Sequence, residues 1–588
     1  MWKSSIHVKV LLVPFFGEDV EETVVLPKGT ATRWSEMMSV LQDSFKQLLS
    51  SYATYLDEEG AVITITTDAE LQEALTSKVR SFTVSPQLSS ERQVDGWQYL
   101  NSPSQEVEHQ SWSNELHFWV NGEEVRLTNP SPSITLLDWL RESKGLTGTH
   151  VGCGEGGCGI CTVALVLPSG EAVPINSCLR RLCAVDGCHV VNTQGLGSVK
   201  GELHPLQKAI ADGNGSQCGF CTPGWVMNMY SLLEKNATPS KEVVEQNFDG
   251  NLCRCTGYRP ILDSFGDFAE GGKCCGSHKS VPLPSGMQDH EVTPLHFTDV
   301  ATGEEYYRPV TVTQIMDVSK KASRDNKQVR YMCGNTAVGV EKYLTKDPQY
   351  ANTAFIDLNF VAEFSESRVG QFGFHVGSAV SIESLISQLE QGDDAFKAYA
   401  DHLKRIASVQ IRSVASWAGN LMLCRESALK KDFSYFPSDL VLVLATAHAS
   451  VKVLVEGRPR IMGVLDLMQL PGSVVVLSAT IPQACKHSFV KTYKMMKRHV
   501  FSHAIVNFGA NLTLNPDRTV RSATVILGGA TSTIMAAGRT EMALVHKPMN
   551  EATLIAAITA LESDIDASPS TGELDSMAYK KSTAVGFL

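Results

Sequence analysis

The chain is 588 residues long, with 43% hydrophobic and 19% charged residues, so it exceeds one hydrophobic core and reads as about three to five globular domains. Its formal net charge of -12 opposes binding to nucleic acid or anionic membrane, both of which need clustered Lys and Arg. No run reaches the roughly 18 apolar residues of a membrane span, and Val10 to Phe16, broken by Pro14 and followed by Gly17 and Glu18, lacks a signal-peptide cleavage site.

Along the chain, residues 5–85 open with strand-like alternation at Ile6 to Val13 and Glu22 to Leu26. Met37, Val40, Leu41, Phe45 and Leu48 then recur at helical spacing. Acidic turns at Tyr55 to Gly60 and Thr67 to Leu71 bracket a strand over Ala61 to Thr66. This block resembles a Phox/Bem-type heterodimerisation domain. The resemblance implies an acidic face carrying Asp57, Glu59, Asp68 and Glu70, a basic protein partner, and Lys9 where the family keeps its basic face; a merely solvated acidic turn is the alternative. Residues 86–113, rich in Ser, Gln, Pro and Glu, read as a linker.

From residue 114 to 198 a compact pattern resumes, with strands at Leu116 to Val120 and Glu124 to Leu127 joined by Asn121-Gly122, a strong hairpin signal. A helix-prone stretch, Leu136 to Arg141, precedes a cysteine loop. Residues 199–270 read as a small helical bundle through Leu206 and Ile210, Trp225 to Leu233, and Val243 to Phe248. Residues 271–300 form a second linker, 301–484 alternate strands and helices, and 485–588 read as a smaller α+β unit. The expected fold class is therefore multidomain α+β.

Of the 15 cysteines, eight fall in clusters, a usage that points to metal ligation in a reducing compartment and a cytoplasmic protein. Cys153, Cys158 and Cys161, with Cys178 seventeen residues further on, follow the plant-ferredoxin ligand order for a 2Fe-2S cluster. The loop glycines permit a tight turn that aims backbone N–H groups at sulfur. Zinc is the competing reading, but zinc loops usually present two separated cysteine pairs. The second set, Cys218 with Cys221 and Cys253 with Cys255, fits a structural zinc site about as well when taken alone. Cys183, Cys188, Cys274, Cys275, Cys333, Cys424 and Cys485 read as ordinary thiols.

Both cysteine signatures, in this order, resemble the two iron-sulfur domains of the xanthine dehydrogenase and aldehyde oxidase family. The resemblance implies a β-grasp 2Fe-2S domain, a four-helix 2Fe-2S domain and a two-part FAD-binding domain behind a ubiquitin-like front domain. The turn at Gly334, Asn335 and Thr336 after a strand could cradle a diphosphate. Ser413 to Asn420 is similar to the family's second phosphate loop. By that resemblance the FAD contacts are Tyr331, Met332, Cys333, Gly334, Asn335, Thr336, Ala337, Val338, Ser416, Trp417, Ala418, Gly419, Asn420, Asp439, Val476 and Lys494. Ile406 stands where many relatives place an aromatic ring beside the flavin, and with the altered Met495 to Val500 it argues against ready use of NAD. Leu423 replaces a hydroxyl residue common near the phosphates.

The function implied is an oxidoreductase that carries two 2Fe-2S clusters and FAD and passes electrons between a molybdopterin-binding chain and an acceptor. Nothing resembling a molybdopterin-binding region follows the flavin module before Leu588, so that centre is expected on another chain. The alternatives are an assembly or redox-sensing protein led by the front domain, and part of a full molybdenum hydroxylase.

Overall fold

The alternation at Ile6–Leu12 and Val20–Leu26 forms an antiparallel pair, and Ile6–Leu12 also runs parallel to Ser81–Pro86. With Ser51–Leu56 and Val62–Ile65 these strands complete a five-stranded sheet, in which the first and last strands of the block lie side by side. This computed structural model describes the backbone of those five strands and residues 111–588, apart from 275–277, 346–349, 371–372, 430–435, 486 and 569–576. The acidic residues Asp57, Glu59, Asp68 and Glu70, the helical stretch from Met37 to Leu48, most of the 86–113 linker and Cys275 lie outside the described residues.

Strand Glu115–Val120 turns at Asn121 and Gly122, whose φ values of 51° and 86° suit a type I′ turn, and pairs with Glu123–Thr128. Leu116, Phe118 and Val120 alternate into the core of a five-stranded sheet with Thr162–Val166, Ala172–Asn176 and His189–Val191. Thr135 caps the helix Leu136–Asp138, which widens at once into a π-turn over Trp139–Ser143.

Four helices follow, Pro205–Asp212, Thr222–Lys235, Lys241–Asn247 and Arg259–Gly266. Their apolar faces meet around Trp225, Met229, Tyr230, Phe248 and Phe265. The segment expected as a linker over 271–300 is instead tied down by long-range contacts. His278 reaches Glu234 at 2.7 Å, Val281 N–H donates to Tyr230 Oη at 3.0 Å, and His290 reaches Asp186 at 2.8 Å. It ends inside a strand, Leu295–Thr298, where Ser113 at the end of the first linker also bridges.

That strand starts a four-stranded sheet with Glu305–Arg308, Thr353–Asp357 and Gln328–Met332. A second sheet of five strands, with Val474–Pro482 at its centre, packs against helices Asp394–Leu403, Trp417–Leu429 and Asp439–Thr446. The last sheet pairs Ser488–Met496, Ala504–Leu514 and Val520–Gly528 and is covered by Glu551–Asp566 and Met577–Phe587. Among the described residues no helix is long and apolar enough to cross a membrane.

Candidate functional site

The ferredoxin-like loop gathers its four thiols into two pairs. Around the first, Glu155 and Gly157 N–H donate to Cys153 Sγ at 3.5 and 3.2 Å, and Cys153 N–H donates to Cys158 Sγ at 3.4 Å. A thiol hydrogen bond from Cys158 and these amides hold Cys153 down to about 5 against the opposing effect of burial, while Cys158 is raised by the same pairing. Cys161 and Cys178 are the second pair; the hydrogen bond between them lowers the first and raises the second.

In the helical domain Cys221 is the N-cap of Thr222–Lys235, and Cys253 and Cys255 sit on the loop leading into Arg259–Gly266. Cys218 and Cys255 are exposed, with sulfurs 3.4 Å apart. Cys221, pushed up to about 12 by burial and then by Cys253, pairs with that thiol. Among the described residues no three His, Cys, Asp or Glu side chains converge on one point as a single ion requires. Two free thiol pairs at each place fit a two-iron cluster, which takes two thiolates per iron, better than zinc, which gathers four around one centre.

A cavity of about 1840 Å³ opens beside the first cysteine loop. Its walls carry Tyr331, Met332, Cys333, Gly334, Asn335, Thr336, Ala337, Ile406, Ser416, Ala418, Gly419, Asn420, Asp439, Val476 and Lys494, together with Cys153 and Cys158. Two expected contacts are not on this wall. The Val338 side chain is buried against Leu137, Cys161, Cys178 and Leu179, and Trp417 is fully buried with its indole N–H donating to Gly377 O at 2.6 Å. Helical periodicity explains the difference, because each follows wall residues on a helix start but points to the opposite side.

The two small-residue loops meet backbone to backbone: a Cβ added at Gly334 would overlap Val414 O, and Asn335 takes φ 59°. Asn335 Nδ2 donates to Leu179 O at 2.9 Å, which ties the turn to the residue after Cys178. Three buried polar atoms from the wall residues, Asn335 Oδ1, Thr353 Oγ1 and Ser378 Oγ, have no protein partner. Unsatisfied buried groups around a cavity fit an occupant rich in hydroxyls and phosphates, as FAD is.

Deeper in the wall, Lys494 Nζ lies 2.6 Å from Asp439 and also donates to Arg405 O at 2.9 Å. His402 and Asn507 reach the other Asp439 oxygen at 3.2 and 3.0 Å. Burial would raise this carboxyl, but Lys494 and then the His402 contact hold it well below the ordinary carboxylate range. His402 and Asn507 escaped the sequence reading because no local pattern marks them. They reach Asp439 from 37 and 68 positions away.

Comparison with known proteins agrees with this geometry. Residues 118–183 match a 2Fe-2S iron-sulfur cluster binding domain, 193–266 a 2Fe-2S binding domain, 298–484 the FAD binding domain in molybdopterin dehydrogenase, and 491–588 the CO dehydrogenase flavoprotein C-terminal domain. The chain is 34% identical over 545 residues to xanthine dehydrogenase of Emericella nidulans, covering 81% of this chain and 38% of that protein. It is 30% identical to xanthine dehydrogenase/oxidase of Mus musculus, over 78% of this chain and 37% of the relative.

These are the iron-sulfur and FAD modules of the xanthine dehydrogenase family. The chain thus has two distinct 2Fe-2S-binding domains and an FAD-binding domain, and it spans little more than a third of the length of these relatives. In front of the family modules, residues 16–89 match the PB1 domain, which agrees with the ubiquitin-like sheet. Among solved structures, carbon monoxide dehydrogenase from Hydrogenophaga pseudoflava aligns at 16% identity and a TM-score of 0.41, over 50% of this chain and 96% of that one.

Proposed function

We propose that the chain is an electron-transfer iron-sulfur flavoprotein that passes electrons between a molybdenum hydroxylase centre on another chain and an acceptor. Cys153, Cys158, Cys161 and Cys178 hold one 2Fe-2S cluster; Cys218, Cys221, Cys253 and Cys255 hold the other; FAD occupies the cavity between the Gly334 and Ser416 loops. Bound there, a flavin exchanges electron pairs while each cluster carries single electrons, so together they convert between the two modes.

The observation that carries this reading is adjacency. Cys153 and Cys158 line the same cavity as the two small-residue loops, and Lys342, on the helix that follows the Gly334 turn, donates to Gly154 O at 3.1 Å. On its other side the first loop touches the second set, since Leu252 N–H, one residue before Cys253, donates to Cys158 O at 2.9 Å. Cys218 and Cys255 then reach the surface, where a partner's centre can approach. The order of carriers is therefore flavin cavity, first cysteine set, second cysteine set, exterior. The acidic turns of the front domain supply a separate contact with a basic protein, and the chain works in the cytoplasm.

Metal analysis and electron paramagnetic resonance test the assignment. Purified protein should contain about four irons and show two distinct 2Fe-2S signals on reduction. Cys158→Ser should remove one signal and leave the other. Near-stoichiometric zinc with only two irons would overturn the second assignment.

A further inference from the structure

Besides the Asn335–Leu179 and Lys342–Gly154 contacts, the iron-sulfur and flavin modules are joined through one buried side chain. Asn251 lies on the loop before Cys253 and is almost wholly buried. Its Oδ1 accepts from Asn228 Nδ2 and from Gln410 Nε2, each at 2.7 Å, and its Nδ2 donates to Gly159 O at 3.2 Å. Each partner belongs to a different redox element. Asn228 lies on the helix capped by Cys221. Gly159 stands between Cys158 and Cys161, and Gln410 is on the short helix Val409–Arg412 that leads into the Ser413 to Asn420 loop.

The surroundings leave this joint no slack. A Cβ on Gly224, in the helix that carries Asn228, would overlap Gly159 O, and one on Gly159 would press on Gly250 O and on Asn251 itself. Asn228 and Gln410 are fully buried, so without Asn251 the Gln410 amide is left without access to water, while Asn228 Nδ2 keeps only its bond to Asn247 O at 2.8 Å. A buried amide network of this kind fixes relative placement more strongly than apolar packing, because its hydrogen bonds are directional.

We infer that Asn251 is a positioning residue that locks the two cluster loops and the flavin-domain helix Val409–Arg412 into one electron-transfer geometry. Its side chain bonds to Asn228, Gly159 and Gln410 and to no cysteine. Its Nδ2 pins the carbonyl of the residue between two ligand cysteines, and its Oδ1 holds the two neighbouring modules against that point. The inference rests on the cluster and flavin assignment proposed above.

The test compares Asn251→Ala and Gln410→Met with the unaltered chain, each reconstituted and checked first for iron and flavin content. Asn251→Ala should retain both clusters and FAD, lose the magnetic interaction between the reduced clusters, shift the midpoint potential of the first cluster, and slow electron equilibration by about tenfold or more, the scale of outer-shell changes around metal sites. Amide hydrogen exchange at Leu252, whose N–H is held by Cys158 O, should rise. Gln410→Met should leave the cluster-to-cluster interaction unchanged and weaken only cluster-to-flavin equilibration, which keeps the inference testable should Asn251→Ala fail to accumulate. Wild-type interaction, potential and rates in fully loaded Asn251→Ala, or wild-type cluster-to-flavin equilibration in fully loaded Gln410→Met, would overturn the joint. Absence of iron or flavin from the unaltered chain would instead overturn the functional assignment beneath it.

Discussion

Asp439 shows how one buried carboxylate can govern a cavity wall. It is ion-paired to Lys494 and bonded to His402 and Asn507, with all four side chains drawn from separate elements. Asp439→Asn would leave the Lys494 ammonium buried without its counter-charge, which costs about 3–5 kcal/mol when one partner of a buried pair is removed. We expect a clear fall in melting temperature and loss of flavin from the purified protein. Replacing both partners with apolar residues, Asp439→Leu with Lys494→Met, should recover part of the stability but not the flavin, because no buried charge is then unpaired while His402 and Asn507 lose their acceptor. The pH dependence follows from the depressed carboxyl. Its stabilising contribution is complete above the unfolded value of roughly 4 and declines as pH falls further toward the lower folded value. Thermal stability should therefore weaken on acidification below about pH 4 in the parent chain and show a smaller acid dependence in the double variant.

At the scale of elements, the two iron-sulfur domains are held by close backbone contact as well as by a shared apolar cluster, in which Trp119, Ala164, Val166 and Val191 pack with Leu206, Trp225 and Met229. Gly224, in the first turn of Thr222–Lys235, sits where a Cβ would overlap Gly159 O and crowd Ile160. Gly224→Ala should separate the helix from the ferredoxin-like loop, and the expected result is a protein that keeps its flavin but loses one or both cluster signals at lower temperature than the parent. Full cluster retention with unchanged melting would show that the contact yields easily. Such contacts also mark what the sequence could and could not reveal. The first cysteine set was legible from its spacing, the second, which alone fits zinc as well, only through the family resemblance, and the Asn121-Gly122 hairpin was legible because its turn demands positive φ. The 271–300 segment was not, since its polar and Pro-rich composition resembles a tether while His278 and His290 find partners 44 and 104 positions away. Asn251 and Gln410 were hidden for the same reason, being joined across 159 positions.

Across the whole molecule, Cys153 and Cys158 line the cavity together with Ile406 and the altered Met495 to Val500 segment, and on the proposed reading that segment and Ile406 set which acceptor the flavin serves. Ile406 lines the wall where the family resemblance places an aromatic ring, and Lys497, Arg498 and Val500 line it from the altered Met495 to Val500 segment. His499 of that segment reaches Asp249 of the helical iron-sulfur domain at 2.9 Å, so the segment is anchored across the opening by an exposed and therefore weak pair. A nicotinamide needs a flat surface against which to stack, and a branched aliphatic side chain offers less of one than a ring does. NADH should accordingly reduce the bound flavin slowly or not at all, whereas a strong chemical reductant should reduce flavin and both clusters together. Ile406→Phe should raise the NADH rate without changing reduction by the chemical agent, since only the approach of the nicotinamide is altered. The measurement is anaerobic absorption spectroscopy on metal-analysed protein, with xanthine as a third reductant. Rapid NADH reduction of the parent chain would remove Ile406 as a determinant of acceptor choice. Bleaching by xanthine in protein free of molybdenum and of partner chains would sink the electron-transfer reading, which puts the hydroxylation centre on another chain.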